Sequence, residues 1–244
     1  MKAIAFASFA DYRALSEAAC ARLLALVRRK PDAVICLATG ATPLLTYQLF
    51  VQAVKAQRLD VSQLTFVKLD EWVGLPAGAA GTCEAFLQQH IIQPLAITDE
   101  QYIAFNAETA DECECVRIVD RITHRGGLDL CLLGLGKNGH LGLNEPAAFL
   151  QPSCHIARLD SQTRQHDMIK HAGLPIEHGI TLGLRDILAA REILFLVAGD
   201  GKQRAFTAFC EGKVTTELPA SLLWLHPDTS CLYDRSSLPS FCTN

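Results

Sequence analysis

Apolar runs and amphipathic stretches alternate along the chain, and each predicts an element. Residues 3–8 read as a short strand. Residues 12–30 repeat Leu15, Ala19, Leu23, Leu26 and Val27 at helical spacing. Residues 33–37 are wholly apolar and predict a buried strand, with a helix opening at Pro43. Residues 64–69 predict the next strand, followed by an irregular Gly/Pro/Ala loop to about Gly81 and a helix to His90. A short strand is expected at 102–105 and a helix at 112–124, its apolar face carrying Cys115, Val116, Val119 and Ile122. Residues 128–133 form the most distinct buried strand, uncharged after Asp129. Strands at 154–159 and 193–198, helices at 162–171, 186–191 and 202–210, and a last strand near 231–233 complete the pattern.

Strands that are apolar on both faces, alternating with helices, belong in a parallel sheet covered on both sides. The expected fold is α/β: a three-layer α/β/α arrangement around a mostly parallel, doubly wound (Rossmann-like) sheet, as a single domain over 1–244. With 50% hydrophobic and 20% charged residues, a sizeable core is available. A net charge of −4 argues against a nucleic-acid partner but leaves room for a local cationic pocket. The ten cysteines contain no C-x-x-C spacing, so a reduced, cytoplasmic protein is expected rather than a disulfide or zinc scaffold. No run approaches the ~18 apolar residues of a membrane span. The apolar N-terminus is short and interrupted by Asp11, which a strand explains as well as a signal peptide does.

Chemistry concentrates in the loop after the strand at 128–133, where residues 134–146 hold four glycines, His140 and Glu145. Gly134-x-Gly136-x-x-Gly139 matches a dinucleotide fingerprint, and Asp160 falls where the ribose acid should be. That fingerprint needs a helix at its third glycine. Here Gly142, Pro146 and Pro152 follow without helical period, so no nucleotide cofactor is expected. Thr39-Gly-Ala-Thr-Pro43 follows an apolar strand, with Pro43 suited to the first helical position and Thr42 to the cap. Free N–H groups and the helix dipole there favour an anion. Asp70 and Glu71 end a strand and point to opposite sides, so at most one lines the crevice as a general base. Lys202, at a strand-to-helix turn, becomes a phosphate ligand if a phosphate site lies beside it. The other histidines lack the spacing of a metal pair, and no metal is expected.

In this order the pieces resemble the glucosamine-6-phosphate deaminase family, which shares its fold with 6-phosphogluconolactonases. The likeness runs from Ala33 to about His226. Three strings are most similar to its galactosamine-6-phosphate deaminase/isomerase branch. They are Cys36-Leu-Ala-Thr-Gly-Ala-Thr-Pro-Leu-Leu-Thr-Tyr47, Phe66-Val-Lys-Leu-Asp-Glu-Trp72 and Leu133-Gly-Leu-Gly-Lys-Asn-Gly-His-Leu-Gly-Leu-Asn-Glu-Pro146. The resemblance implies a cofactor-free isomerising and hydrolytic deamination, in which galactosamine 6-phosphate gives tagatose 6-phosphate and ammonia. By this likeness Asp70 takes the proton from the carbon bearing the amine. His140, with Glu145, opens the sugar ring. Thr39, Gly40, Ala41, Thr42 and Lys202 cradle the phosphate, and Gly136, Gly139 and Thr82 belong to the substrate loops. Trp72 and Cys83 sit in or beside the loop expected to cover the sugar.

Two departures stand out. Asn138 replaces an aspartate found in many members, implying a shifted pH dependence. The family's phosphate-binding arginine is expected near Ile169, with Arg164 or Lys170 available to substitute. A short tail after the last strand, compared with allosteric members, leaves regulation and homo-oligomer assembly open. Glucosamine-6-phosphate deamination, lactone hydrolysis on the same scaffold and non-catalytic sugar-phosphate binding are the alternatives. The Asn144-Glu145-Pro146 loop speaks against the lactonase. An acidic chain opening on a strand speaks against a repressor-type effector domain.

Overall fold

In the computed structural model, which describes residues 4–76, 78–106, 108, 110–165, 168–169 and 176–238, the strands fall into two sheets. In chain order they are β1 (Ala5–Phe9), β2 (Val34–Leu37), β3 (Thr65–Lys68), β4 (Asp70–Trp72) and β5 (Tyr102–Ile103). Then come β6 (Leu130–Gly134), β7 (His155–Arg158), β8 (His178–Thr181), β9 (Glu192–Val197) and β10 (Thr229–Asp234). Seven of them form a wholly parallel sheet in the order β1-β10-β9-β6-β2-β3-β5. The helices are α1 (Tyr12–Arg29), α2 (Ala41–Gln57), α3 (Cys83–Leu87), α4 (Glu112–His124), α5 (Leu184–Leu188) and α6 (Gln203–Cys210).

Successive strand side chains point to opposite faces, and that alternation divides the interior into two cores. Cys36, Leu133 and Phe195 pack with Ile118 of α4 and Phe206 and Phe209 of α6. Ile35, Leu132 and Leu196 pack on the other face with Leu15 and Leu23 of α1 and Tyr47 and Phe50 of α2. Each such side chain removed from water contributes about 1.5–3 kcal/mol. The expected three layers are present. Among the described residues the cysteines are free thiols, and no helix is long and apolar enough to cross a membrane.

Local signals explain most element boundaries. Asp11 caps α1 by accepting from Ala14 N at 2.8 Å, and Arg28 and Arg29 sit at the negative end of its dipole. α4 departs from its expected face. Cys115, Ile118 and Ile122 are buried, whereas Val116 is 61% exposed. Glu114 is buried on that side because Arg117 and the Asn106 N–H hold both of its oxygens. The helix expected to reach His90 is α3 followed by a π-helical turn, Gln88–Ile92. Of the helix expected at 162–171, Thr163–Gln165 forms a 3₁₀ turn, and residues 166, 167, 170 and 171 lie outside the described residues.

The sequence pattern did not predict a second sheet. β4, β8 and β7 form a small antiparallel one, pairing Asp70 with Thr181 and Trp72 with Gly179. At the end of β3 the chain crosses to this sheet, anchored by Glu71. Its Oε1 accepts from Trp72 N (2.8 Å) and Cys83 N (2.9 Å), and its Oε2 from Glu84 N (2.7 Å) and Lys68 Nζ (2.9 Å). Lys68 Nζ also reaches Glu84 Oε2 at 2.8 Å.

The parallel sheet reverses direction of growth between β2 and β6. From β2 the chain proceeds to β3 and β5, whereas β6 starts the other half toward β9 and β10. Loops leaving the carboxyl ends of β2 and β6 therefore diverge and open a crevice there.

Removing Glu71 takes one of two carboxylate partners from the buried Lys68 and strands three N–H groups. Glu71→Ala is expected to destabilise the fold by about 3–5 kcal/mol, read from the midpoint of urea unfolding.

Candidate active site

A cleft of about 430 Å³ occupies that crevice, walled by the loops that follow β2, β3, β6 and β9. One end is cationic. α2 begins at Ala41 with Gly40 as its cap at φ 100°, and no side chain caps it. This corrects the expected start at Pro43 with Thr42 as the cap. The left-handed backbone at Gly40 turns the chain into the helix two residues sooner, leaving Thr42 inside its first turn. The Thr42 hydroxyl accepts from Lys202 Nζ at 2.6 Å. Burial, with Lys137 nearby, pushes the Lys202 ammonium down to about 8. Free N–H groups at the α2 N-terminus, Thr39 and Lys202 thus face the cleft together.

Asp70 lies on the cleft floor and is 8% exposed. Burial, then the Glu71 carboxylate, pushes its carboxyl up to about 6, against opposing pulls from Cys83, His140 and Lys68. Cys83 Sγ donates to Asp70 Oδ1 at 3.5 Å and accepts from Thr39 Oγ1 at 3.2 Å. Burial raises that thiol well above its ordinary range, so it serves as a neutral donor. Glu71 points the other way, as the alternation of an extended chain requires.

His140 forms the opposite wall. Its Nδ1 lies 3.3 Å from Glu145 Oε2 and 3.3 Å from Thr163 Oγ1. A proton on Nδ1, shared with the carboxylate, leaves Nε2 as the basic nitrogen. Burial works to raise the Glu145 carboxyl, but hydrogen bonds from His140, Thr163 and Asn138 prevail and hold it below its ordinary value. Asn138 Nδ2 donates to Glu145 Oε2 at 2.8 Å, and its Oδ1 accepts from His140 N at 3.2 Å. An ionised aspartate at 138 could make only the second contact.

Two glycines are there for close approach. A Cβ on Gly136 would lie 2.5 Å from the His140 ring, and one on Gly142 would lie 2.7 Å from Thr181 Oγ1 and 3.4 Å from Asp70 Oδ2. No helix follows Gly139. Gly136 N donates to His140 O (3.1 Å) and Gly139 N to Gly136 O (3.0 Å), a tight turn in place of the helix start that the fingerprint needs.

The cleft therefore brings together Thr39, Gly40, Ala41, Thr42, Asp70, Gly136, Asn138, His140 and Lys202, with Glu145 behind the imidazole. Trp72 lines it as well, and Cys83 lies beneath Asp70. Three expected residues are elsewhere. Thr82 caps α3, its hydroxyl accepting from Ala85 N, and does not line the cleft. Gly139 packs on Leu218 in the turn behind. Arg164 is exposed and outside the lining. Lys170 lies outside the described residues. Sequence reasoning missed Thr163, which no local signal marks, and Lys137, which stood inside the glycine-rich motif. Among the described residues, no group of three or more His, Cys, Asp or Glu side chains could hold a metal.

The chain has relatives among known proteins. Residues 10–232 match the family described as glucosamine-6-phosphate isomerases/6-phosphogluconolactonase. AgaI of Escherichia coli (strain K12), provisionally named a deaminase, is 61% identical over 222 residues, spanning 91% of this chain and 88% of that protein. The glucosamine-6-phosphate deaminase of Bacillus pumilus (strain SAFR-032) is 35% identical over 232 residues, spanning 94% and 96%. A solved monomeric glucosamine-6-phosphate deaminase of the NagB superfamily superposes with a TM-score of 0.90 at 31% identity, over 95% of this chain and 98% of that one. The 6-phosphogluconolactonase of Trypanosoma brucei reaches 0.73 at 18% identity, over 95% and 96%, which is a likeness of fold alone. The expected hydrolase label gains no support from these relatives.

The Asp70 environment has a thermodynamic signature. Its folded pKa lies above the unfolded value of 3.8, so the folded state binds the extra proton and this group's contribution falls as pH rises from about 4 to 6. Asp70→Asn is therefore expected to match wild-type stability below pH ~4 and exceed it by on the order of 1–3 kcal/mol above pH ~7. Unfolding midpoints measured from pH 4 to 8 test this; a constant difference would contradict the assigned shift.

Proposed function

The chain belongs to the glucosamine-6-phosphate isomerase/6-phosphogluconolactonase family, and from that membership we propose that it deaminates galactosamine 6-phosphate to tagatose 6-phosphate and ammonia. At the coarser level it is an enzyme of the amino-sugar-phosphate deaminase class, as its relatives are named. The observation that carries the reading is a desolvated carboxylate, Asp70, in one cleft with a His140–Glu145 dyad and a cationic cradle. The galacto assignment rests on the three strings quoted above.

Each group has a task. The α2 N-terminus and Lys202 take the phosphate, placing the sugar's reducing end toward Asp70 and His140. His140 Nε2 removes the proton of the anomeric hydroxyl and delivers it to the ring oxygen, opening the ring. Glu145 balances the imidazolium, and Asn138 and Thr163 fix both groups. The exposed aldehyde acidifies the neighbouring carbon that bears the amine. Asp70 takes that proton and returns it to the aldehyde carbon while a proton from the nitrogen passes to the aldehyde oxygen, leaving a hydroxymethyl group beside an imine. Water adds to the imine, the resulting carbinolamine expels ammonia, and a ketose remains. A carboxylate near 6 is a stronger base than an ordinary one yet still ionised at neutral pH.

Ammonia release with galactosamine 6-phosphate and glucosamine 6-phosphate, assayed side by side, tests the reading. Faster release from the galacto sugar is the expected outcome. Faster release from the gluco sugar would keep the mechanism and move the substrate, and silence with both would remove the deaminase reading. Asp70→Asn should lower kcat by about 10²–10⁴-fold while substrate affinity stays within a few-fold.

The pH profile of kcat/KM should be bell-shaped. Its acid limb lies near 6, where Asp70 and the phosphate protonate, and its alkaline limb near 8, where Lys202 loses its charge. Bound phosphate keeps Lys202 charged, so the alkaline limb of kcat alone should move upward.

A further inference from the structure

The cationic end of the cleft holds a second lysine that the reading above leaves without a task. Lys137 sits in the loop after β6, one residue beyond Gly136 and one before Asn138, and it lines the cleft together with Lys202, Gly40 and Thr42. Its stem lies across the turn between β9 and α6, where a Cβ on Gly201 would meet Lys137 Cδ and Cε at 3.3 Å. The four-carbon stem of Lys137 thus lies close against the turn that leads to Lys202. Among the described residues neither ammonium has a carboxylate partner. Lys202 Nζ donates to Thr42 Oγ1, and among the described residues Lys137 makes no ion pair or hydrogen bond. Asp200 lines the same end, exposed, without pairing to either.

Lys202 is partly buried while Lys137 is exposed, so burial, and after it repulsion from the Lys137 charge, lowers the Lys202 pKa. An anion bound beside them relieves that repulsion and gives both ammoniums a partner. A phosphate monoester carries close to two negative charges at neutral pH and three acceptor oxygens. One ammonium and one helix N-terminus leave part of that charge unmatched. A second ammonium completes it.

We infer that Lys137 is a phosphate-binding residue of this site, reaching the phosphate from the β6 loop beside Lys202 and tying substrate capture to the loop that carries His140. This rests on the proposed sugar-phosphate reading for the identity of the substrate, but not for the chemistry of the ligand. Because Asn138 and His140 follow within three positions, pulling Lys137 onto the phosphate also fixes the turn that holds the imidazole. Lys137 is then a binding and positioning residue, not a catalytic one.

Two measurements on the full chain separate the inference from the reading it rests on. The first is calorimetric binding of inorganic phosphate to wild type, Lys137→Gln and Lys137→Arg. Lys137→Gln should weaken binding about tenfold, and Lys137→Arg should restore most of it. The second is ammonia release, in which Lys137→Gln should raise KM about tenfold with kcat within a few-fold, again with rescue by Lys137→Arg.

Equal phosphate affinity in wild type and Lys137→Gln overturns the inference whether or not the protein is a deaminase. Weaker binding that Lys137→Arg does not restore also overturns it, since charge would not be the cause. Weakened phosphate binding in a protein that releases no ammonia would uphold the role of Lys137 and remove the deaminase reading instead.

Discussion

The site depends on one buried carboxylate that never touches it. Glu71, 1% exposed, gathers Lys68, the N–H of Trp72 and the first two N–H groups of α3 onto its two oxygens. A carboxylate is stable in such a place only when every lone pair is occupied. That requirement fixes where β3 ends, where β4 crosses to the second sheet and where α3 begins. It also fixes Asp70. An extended chain alternates its side chains, so anchoring Glu71 on one side aims Asp70 into the cleft on the other. The same Glu71 charge then helps raise Asp70 toward 6.

The cleft applies one physical effect to two groups of opposite sign. Loss of water disfavours whichever form is charged, so the Asp70 carboxyl rises and the Lys202 ammonium falls. Both are thereby moved toward neutrality, one as a poised base and the other as a cation in want of an anion. The His140–Glu145 dyad answers differently. Hydrogen bonds from His140, Thr163 and Asn138 overcome burial there, and Glu145 stays ionised. The asparagine at 138 fits this local chemistry, because its amide can donate to Glu145 and accept from the His140 backbone at once.

Much of the architecture was legible because its signals are local. Strands such as β2 and β6 are apolar on both faces, which only a doubly covered parallel sheet explains. The glycine-rich loop was recognisable as a site rather than a nucleotide fingerprint because Gly142 and Pro146 deny it a helix. The small sheet was not legible. β4 and β8 are short, contain Asp70, Glu71 and His178, and are strands only because they pair across the small sheet, β8 with both β4 and β7. Thr163 and Lys137 were missed for a related reason. A threonine in a polar segment and a lysine in a loop acquire roles only from what lies opposite them.

The sequence by itself determined the layered α/β class, the loops that carry chemistry and the opposed directions of Asp70 and Glu71. These follow from period, propensity and the alternation of an extended chain, all of which act within a few residues. Only the tertiary structure decided that α2 starts at Ala41, that Thr82 caps a helix away from the cleft and that Lys137 stands beside Lys202. It also decided how far Asp70 and Lys202 shift, because desolvation and charge–charge interaction depend on distances between segments far apart in the chain. A linear pattern fixes which groups exist and which way they face. Folding alone fixes what surrounds them.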